Sequence, residues 1–275
     1  MPTGCYGFAT PDLVEVPGLL RQVADSSPVL RMTQQRGASV VLQDTLTDEQ
    51  TSYPLPQALG DVHVDRATLT ARFTSPTPLP HDHLVHPHMA RVAAVAARWL
   101  GWQALHAGAF EYAGGAWGVL GERNAGKSSL MAQLHVLGLP IITDDVAVVQ
   151  EGMVVPGPGI VDLREGAAQH FGLGVPLGVV GRRARWRVPV PPAGPAPLRG
   201  WILPTWGEPA ITALPLRMRV PLLAANRAVP LPPVAPADFF ALAGVPVIVW
   251  SRPREWPRME ASTRDLLSEL AAGTY

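Results

Sequence analysis

The pattern of apolar and polar positions is clearest between residues 115 and 150. Gly115-Ala-Trp-Gly-Val-Leu is a short unbroken apolar run, which predicts a buried strand. A glycine-bounded polar stretch follows, Gly121-Glu-Arg-Asn-Ala-Gly-Lys-Ser-Ser. Leu130, Leu134 and Leu137 then recur at helical spacing, predicting a helix over 128–137 that Gly138-Leu-Pro stops. Ile141-Ile-Thr-Asp-Asp-Val-Ala-Val-Val resumes as a second apolar strand interrupted by two carboxylates. Strand, loop, helix and strand in this order make a phosphate-binding α/β unit.

The flanking regions read differently. Over 1–80, Ser39-Val-Val-Leu-Gln, Asp61-Val-His-Val-Asp and Ala67-Thr-Leu-Thr-Ala-Arg-Phe-Thr alternate enough to predict strands. Ser75-Pro-Thr-Pro-Leu-Pro breaks the pattern and marks a boundary, dividing an N-terminal β-rich region, 1–80, from the domain that carries the phosphate-binding unit, 81–275. Pro87 suits a first helical turn, and the Ala-rich run after it predicts a helix to about residue 100. Beyond 150 the chain reads as mainly β: Met153-Val-Val-Pro, Arg185-Trp-Arg-Val-Pro-Val, Trp201-Ile-Leu and Val245-Pro-Val-Ile-Val-Trp. Short helices are expected at 217–227, 236–243 and 262–272. The fold class is therefore α/β: a phosphate-loop core on a mixed, β-rich sheet.

Composition narrows the classes. At 275 residues, with 47% hydrophobic and 16% charged side chains, the chain affords a large core and is not disordered. Twenty-two basic side chains balance 22 acidic ones, so nothing pulls it towards nucleic acid or an anionic membrane. Cys5 is the sole cysteine, which excludes an internal disulfide and a thiolate metal cluster. With Asp12 and Glu15 near the start there is no signal-peptide pattern, and no apolar run is long enough to span a membrane. A cytoplasmic protein is the expectation; self-association stays open.

Gly121-x-x-x-x-Gly126-Lys127-Ser128 carries the chemistry. Gly121 and Gly126 permit the tight turn, and amides from Asn124 and Ala125 to Ser128 and Ser129 form a nest for phosphate oxygens. The helix that follows offers its positive end. Lys127 would reach the β- and γ-phosphates of ATP, and the Ser128 hydroxyl would ligate Mg²⁺. With 26 glycines a chance match is a real alternative, but the strand before and the helix after are the context this motif needs. Asp144 and Asp145 fall where a metal-binding carboxylate and a proton acceptor would sit. The alternative is a solvated turn, against which stand the apolar flanks on both sides.

Leu105-His-Ala-Gly, then the glycine loop, then Thr143-Asp-Asp-Val-Ala-Val together resemble the HPr kinase/phosphorylase superfamily, and within it the smaller HPr-kinase-related branch. The resemblance covers about residues 104–150 and is looser to 205. It implies that Lys127 holds the γ-phosphoryl group, Ser128 and Asp145 bind Mg²⁺, and Asp144 is the base towards a substrate hydroxyl. It places His106 at the phosphate or against the base, and assigns stabilisation of transferred charge to Arg185 or Arg187, with Arg187 preferred. The family segment tied to phosphorolysis is missing, so HPr itself is not implied as substrate. The branch points instead to a serine of a peptide or protein, including ribosomally made lasso-type peptides.

Two features stand outside this scheme. His81, Asp82, His83, His86 and His88 crowd together, as a metal site, a loop at the mouth of the site or an exposed polar loop; their spacing fits no metal template. Arg182-Arg-Ala-Arg-Trp-Arg suits phosphate or an acidic peptide better than nucleic acid. Kinase action on a peptide or protein leads; a small-molecule kinase and a nucleotide-dependent switch or ATPase module are the alternatives. A switch GTPase would need a base-reading Asn-Lys-x-Asp motif, and there is none.

Overall fold

A computed structural model describes all residues except Glu15, Pro17, Gly181, Arg182, Thr274 and Tyr275. Arg182 of the arginine run thus lies outside the described residues. The architecture is mixed α/β. Its main sheet has nine strands, running in order Ile141–Thr143, Gly108–Tyr112, Gly115–Val119, Ala196–Trp206, Met153–Val155, Ala147–Gln150 and Gln103–Leu105. Val247–Arg252 also pairs with Ala196–Trp206, and Ala210–Ala213 pairs with Val247–Arg252.

Gly115–Val119, Ala196–Trp206 and Val247–Arg252 are parallel to one another, with Val119 opposite Ile202 and Leu203 opposite Val249. Their carboxyl ends therefore open at one edge, where parallel sheets hold ligands. Close pairing of two of them depends on a reciprocal exchange of bulk. A Cβ at Gly118 would lie 2.2 Å from the Trp201 ring, and one at Gly200 2.6 Å from the Trp117 ring. Each glycine makes room for the indole of the neighbouring strand.

Both faces of the sheet are covered. Phe110, Trp117, Ile202, Ile248 and Trp250 meet Leu130 and Leu134 of the helix Lys127–Val136 and Leu266 and Leu270 of the helix Met259–Ala272. On the other face Ala109, Ala116, Trp201 and Val247 meet Leu223, Phe239 and Leu242 from the helices Leu216–Ala225 and Pro236–Gly244. Burial of whole Leu, Phe and Trp side chains at about 1.5–3 kcal/mol each fixes this sandwich.

The N-terminal region carries a five-stranded sheet in the order Arg31–Arg36, Thr70–Ser75, Asp61–Asp65, Gln50–Pro54, Thr45–Leu46. Val62, Val64 and Phe73 of this sheet share one core with Met89, Val92 and Ala96 of the helix Met89–Trp99, with Val148 and Val155 of the main sheet, and with Val146 just before it. One apolar core thus takes in residues from both sides of residue 80.

Several expected elements differ. Ser39-Val-Val-Leu-Gln is not a strand: Val40 and Leu42 are 83% and 94% exposed, and the amides of Val40 and Val41 donate to the Asp61 carboxylate. Arg31–Arg36 is a strand despite its polar composition, because it pairs in parallel with Thr70–Ser75. The helix expected from Pro87 starts at Met89; Leu84–His88 before it forms a wide turn broken at His86 (φ −144°, ψ 120°). Ile141 to Val149 splits into Ile141–Thr143 and Ala147–Gln150, with both aspartates in the bend between. Among the described residues no helix is long and apolar enough to cross a membrane.

Candidate active site

The glycine loop leaves the central strand at Leu120 and turns through three left-handed residues, Gly121 (φ 125°), Asn124 (φ 69°) and Gly126 (φ 85°), before Lys127 opens the helix. Gly126 admits no side chain: a Cβ there would stand 2.5 Å from Arg252 Nη2 and 3.0 Å from the Trp206 ring. Lys127, the only lysine in the chain, donates from Nζ to the carbonyls of Gly121 (2.5 Å) and Glu122 (3.1 Å). Its pKa is lowered chiefly by burial, with Asp145 and Asp144 acting in the opposite sense. An ammonium resting on its own loop's carbonyls is positioned to turn outward when a phosphate offers stronger partners.

Distant residues hold the loop in shape. Asn226 Oδ1 accepts from the Gly121 amide (3.1 Å), while the Asn226 carbonyl accepts from the His106 amide (2.7 Å). Trp206 Nε1 donates to the Asn124 carbonyl (3.0 Å), Arg164 Nη1 to Asn124 Oδ1 (2.6 Å), and Arg252 Nη2 to the Ala125 carbonyl (3.3 Å). None of these four braces is visible in the motif itself. Asn226 ties the loop and the histidine turn to one point.

The two aspartates have different surroundings. Asp144 is 5% exposed; its Oδ2 accepts from the Asp162 amide (2.8 Å), and the Ser128 hydroxyl is close enough to the same carboxyl group to lower its pKa. Its buried Oδ1 has no hydrogen-bond partner among the described residues. Burial, followed by the charge of Asp145, pushes its pKa up to about 8, against the opposing pull of Ser128, Lys127 and Arg185. Asp145 is open, with 56% of its side chain exposed, and its Oδ1 lies 3.5 Å from His106 Nδ1. Burial lowers the His106 pKa, the nearby Asp145 raises it, and Lys127 lowers it again. Sequence reasoning paired Ser128 with Asp145 and left Asp144 to the acceptor. The structure pairs Ser128 with Asp144 and His106 with Asp145, because the bend after Thr143 sends the first carboxylate inward.

Asp162 was missed altogether. It sits at the sheet position facing Arg187 in register, and its Oδ2 bonds to Arg185 Nη1 and lies 3.6 Å from His86 Nε2. Arg185 lines the same cavity as the loop. Arg187 does not reach it: its guanidinium is held by the Asp82 carboxylate (2.8 Å) and by the carbonyls of Asp82 and His86. Arg185, two positions before Arg187 and so on the same face of the strand, is the arginine at the cavity, while Arg187 is drawn aside by Asp82 and His86.

The histidine cluster is not convergent. His81 Nδ1 sits 3.0 Å from the Val14 carbonyl, whereas His86 and His88 are buried, their pKa values lowered by burial to about 3 and about 4. Neutral at physiological pH, they belong to the packing. No group of three His, Cys, Asp or Glu among the described residues is arranged to hold a metal ion. A hard ion held by one carboxylate, one hydroxyl and substrate phosphates needs no such group. The Ser128–Asp144 pair, with its unpartnered carboxylate oxygen, fits Mg²⁺ in that way.

These groups border one cavity of about 590 Å³, lined by the loop, Asp144, Asp145, His106, Asp162, Arg185, Trp206 and Trp256. That volume suits a nucleotide-sized ligand.

No family model matches the chain, and no curated protein matches its sequence. Among solved structures, the Hpr(Ser) kinase/phosphatase from Coxiella burnetii matches it with 14% identity and a TM-score of 0.31, over 61% of this chain and 98% of that one. The site is therefore read from its own geometry.

Proposed function

We propose that the chain is an ATP- and Mg²⁺-dependent phosphotransferase of HPr-kinase-like type, passing the γ-phosphoryl group to a hydroxyl, most simply a serine, of a peptide or protein. One observation carries the reading. A left-handed glycine loop with the chain's only lysine faces, across one cavity, one carboxyl group beside Ser128 and a second beside a histidine.

Each group then has a task. Lys127 and the loop amides bind the β- and γ-phosphates. Ser128 and Asp144 would hold Mg²⁺, which supplies neutralisation of phosphate charge. Asp144 must give up its proton to do so. Asp145, oriented by His106, accepts the proton of the acceptor hydroxyl as its oxygen bonds to the γ-phosphorus and the bond to the β-phosphate oxygen breaks. The proton leaves from Asp145 to water through the open side of the site. Arg185 faces the charge that spreads over the transferred group. This assignment exchanges the roles of the two aspartates as first read from the sequence.

Calorimetric binding of Mg·ATP beside single-turnover rates tests the assignment. Asp144→Asn is expected to weaken Mg²⁺-dependent nucleotide binding, with partial rescue by Mn²⁺. Asp145→Asn is expected to keep nucleotide affinity while transfer falls on the order of a hundredfold. The opposite pattern restores the sequence-based roles, and no effect from either defeats the mechanism.

A further inference from the structure

The chemistry above uses only one end of the cavity. In the sheet, Ile141–Thr143, which leads into Asp144 and Asp145, lies to one side of the loop's strand Gly115–Val119. Ala196–Trp206 and Val247–Arg252 lie to the other side, and their carboxyl ends bring Trp206, Arg254 and Trp256 to the same cavity wall. A triphosphate seated on the loop with its γ-end at the aspartates would extend its nucleoside towards this second end.

That end is built of ring faces. Trp206 is fixed by its Nε1 bond to the Asn124 carbonyl and by the Arg252 guanidinium 4.2 Å from its ring centroid. Trp256 is stacked on His170, with centroids 4.4 Å apart and planes 16° apart. Both indoles nevertheless remain exposed, Trp206 by 39% and Trp256 by 41%. Arg254 also lies 5.6 Å from the Trp206 centroid and Phe171 meets Trp256 edge-on at 5.8 Å, yet these contacts leave both indoles partly open in the cavity, an exposure that packing does not explain.

We propose that Trp256, with Trp206 beside the loop, forms the nucleobase subsite and takes a purine ring by stacking. The proposal rests on the phosphate-loop reading and adds the half of the ligand that reading leaves unassigned. Stacking on ring planes rewards area more than edge pattern, so ATP and GTP bind more tightly than CTP and UTP. Trp256 is the informative residue, because Trp206 also braces the loop.

The test compares full-length wild-type chain with Trp256→Ala and Trp256→Phe, by calorimetry in Mg²⁺ with ATP, CTP and inorganic tripolyphosphate. Tripolyphosphate carries the phosphates without a base. Trp256→Ala is expected to weaken ATP on the order of tenfold, to leave tripolyphosphate within about twofold and to erase the ATP-over-CTP preference, while Trp256→Phe keeps most of the ATP affinity. Equal loss of ATP and tripolyphosphate means that Trp256 only supports the fold, and unchanged ATP affinity means that the aromatic end serves the acceptor; either overturns the proposal. Wild-type chain that binds tripolyphosphate no less tightly than ATP overturns it too. Failure of wild-type chain to bind even tripolyphosphate defeats the phosphate-loop reading itself, a different result.

Discussion

Asp144→Asn separates what the site costs from what it does. In the ligand-free fold, burial and Asp145 hold the Asp144 proton up to about pH 8. In the unfolded chain the same group releases it near pH 4, as an ordinary carboxylic acid does. Between those values the folded chain binds one more proton than the unfolded chain, so stability falls as pH rises, by about 1.4 kcal/mol per pH unit. The contribution is fully present below the unfolded value and is gone once pH has risen through the folded one. Asparagine carries no such slope, and its amide oxygen still accepts from the Asp162 amide. From about pH 5 to pH 8 the variant should therefore gain on the wild type by about 4 kcal/mol, on the order of 10 °C in Tm. Thermal melts of both proteins without ligand, at several pH values in that range, read the difference directly. Adding Mg·ATP should raise the wild-type Tm at pH 8 and raise the variant's much less. A gap between the two melting temperatures that stays constant across the range refutes the reasoning.

Other perturbations probe the neighbours of this group. An amine-reactive acyl-phosphate analogue of ATP should label one lysine, Lys127, with Mg·ATP protecting it, as read by peptide mass spectrometry; Lys127→Ala should lose transfer to below about a tenth of wild type, since it removes an electrostatic contribution of several kcal/mol. Asn226→Ala removes the acceptor of the Gly121 amide and should raise the KM for ATP several-fold with Tm lowered by a few degrees, about 1 kcal/mol for one hydrogen bond. Gly126→Ala should abolish nucleotide binding in calorimetry, because the new Cβ meets Arg252 and Trp206 and the residue sits at φ 85°. Arg185→Met should slow single-turnover transfer far more than Arg187→Met, whose loss should appear mainly in the melting temperature.

The strand–loop–helix unit was legible because its information is contiguous. The strand, the glycine-bounded turn and the helix lie within about two dozen residues, and the periodicity of Leu130, Leu134 and Leu137 marks the helix without help from the rest of the chain. The braces were not legible because they come from afar: Asn226 reaches Gly121 across 105 positions and Trp206 reaches Asn124 across 82. Composition also misleads at sheet edges. Arg31–Arg36 is a strand through pairing alone, whereas Val40 and Leu42 have strand-forming side chains and no partner strand. The order of the two aspartates was undecidable from alternation, since both fall in a bend where the strand has ended. Asp162 carries no local signal at all; its role exists only because the small sheet of Ile160–Leu163 with Arg183–Pro189 folds over the cavity.

The central claim is transfer rather than hydrolysis, and the fate of the γ-phosphoryl group decides it. Wild-type chain and Lys127→Ala are each incubated with Mg²⁺, γ-labelled ATP and a position-scanned library of serine-containing peptides, and the label is followed by mass spectrometry. The account predicts label on a peptide hydroxyl, formed faster than labelled inorganic phosphate and absent with Lys127→Ala. Label found only as inorganic phosphate, or in a product that Lys127→Ala makes equally well, contradicts it.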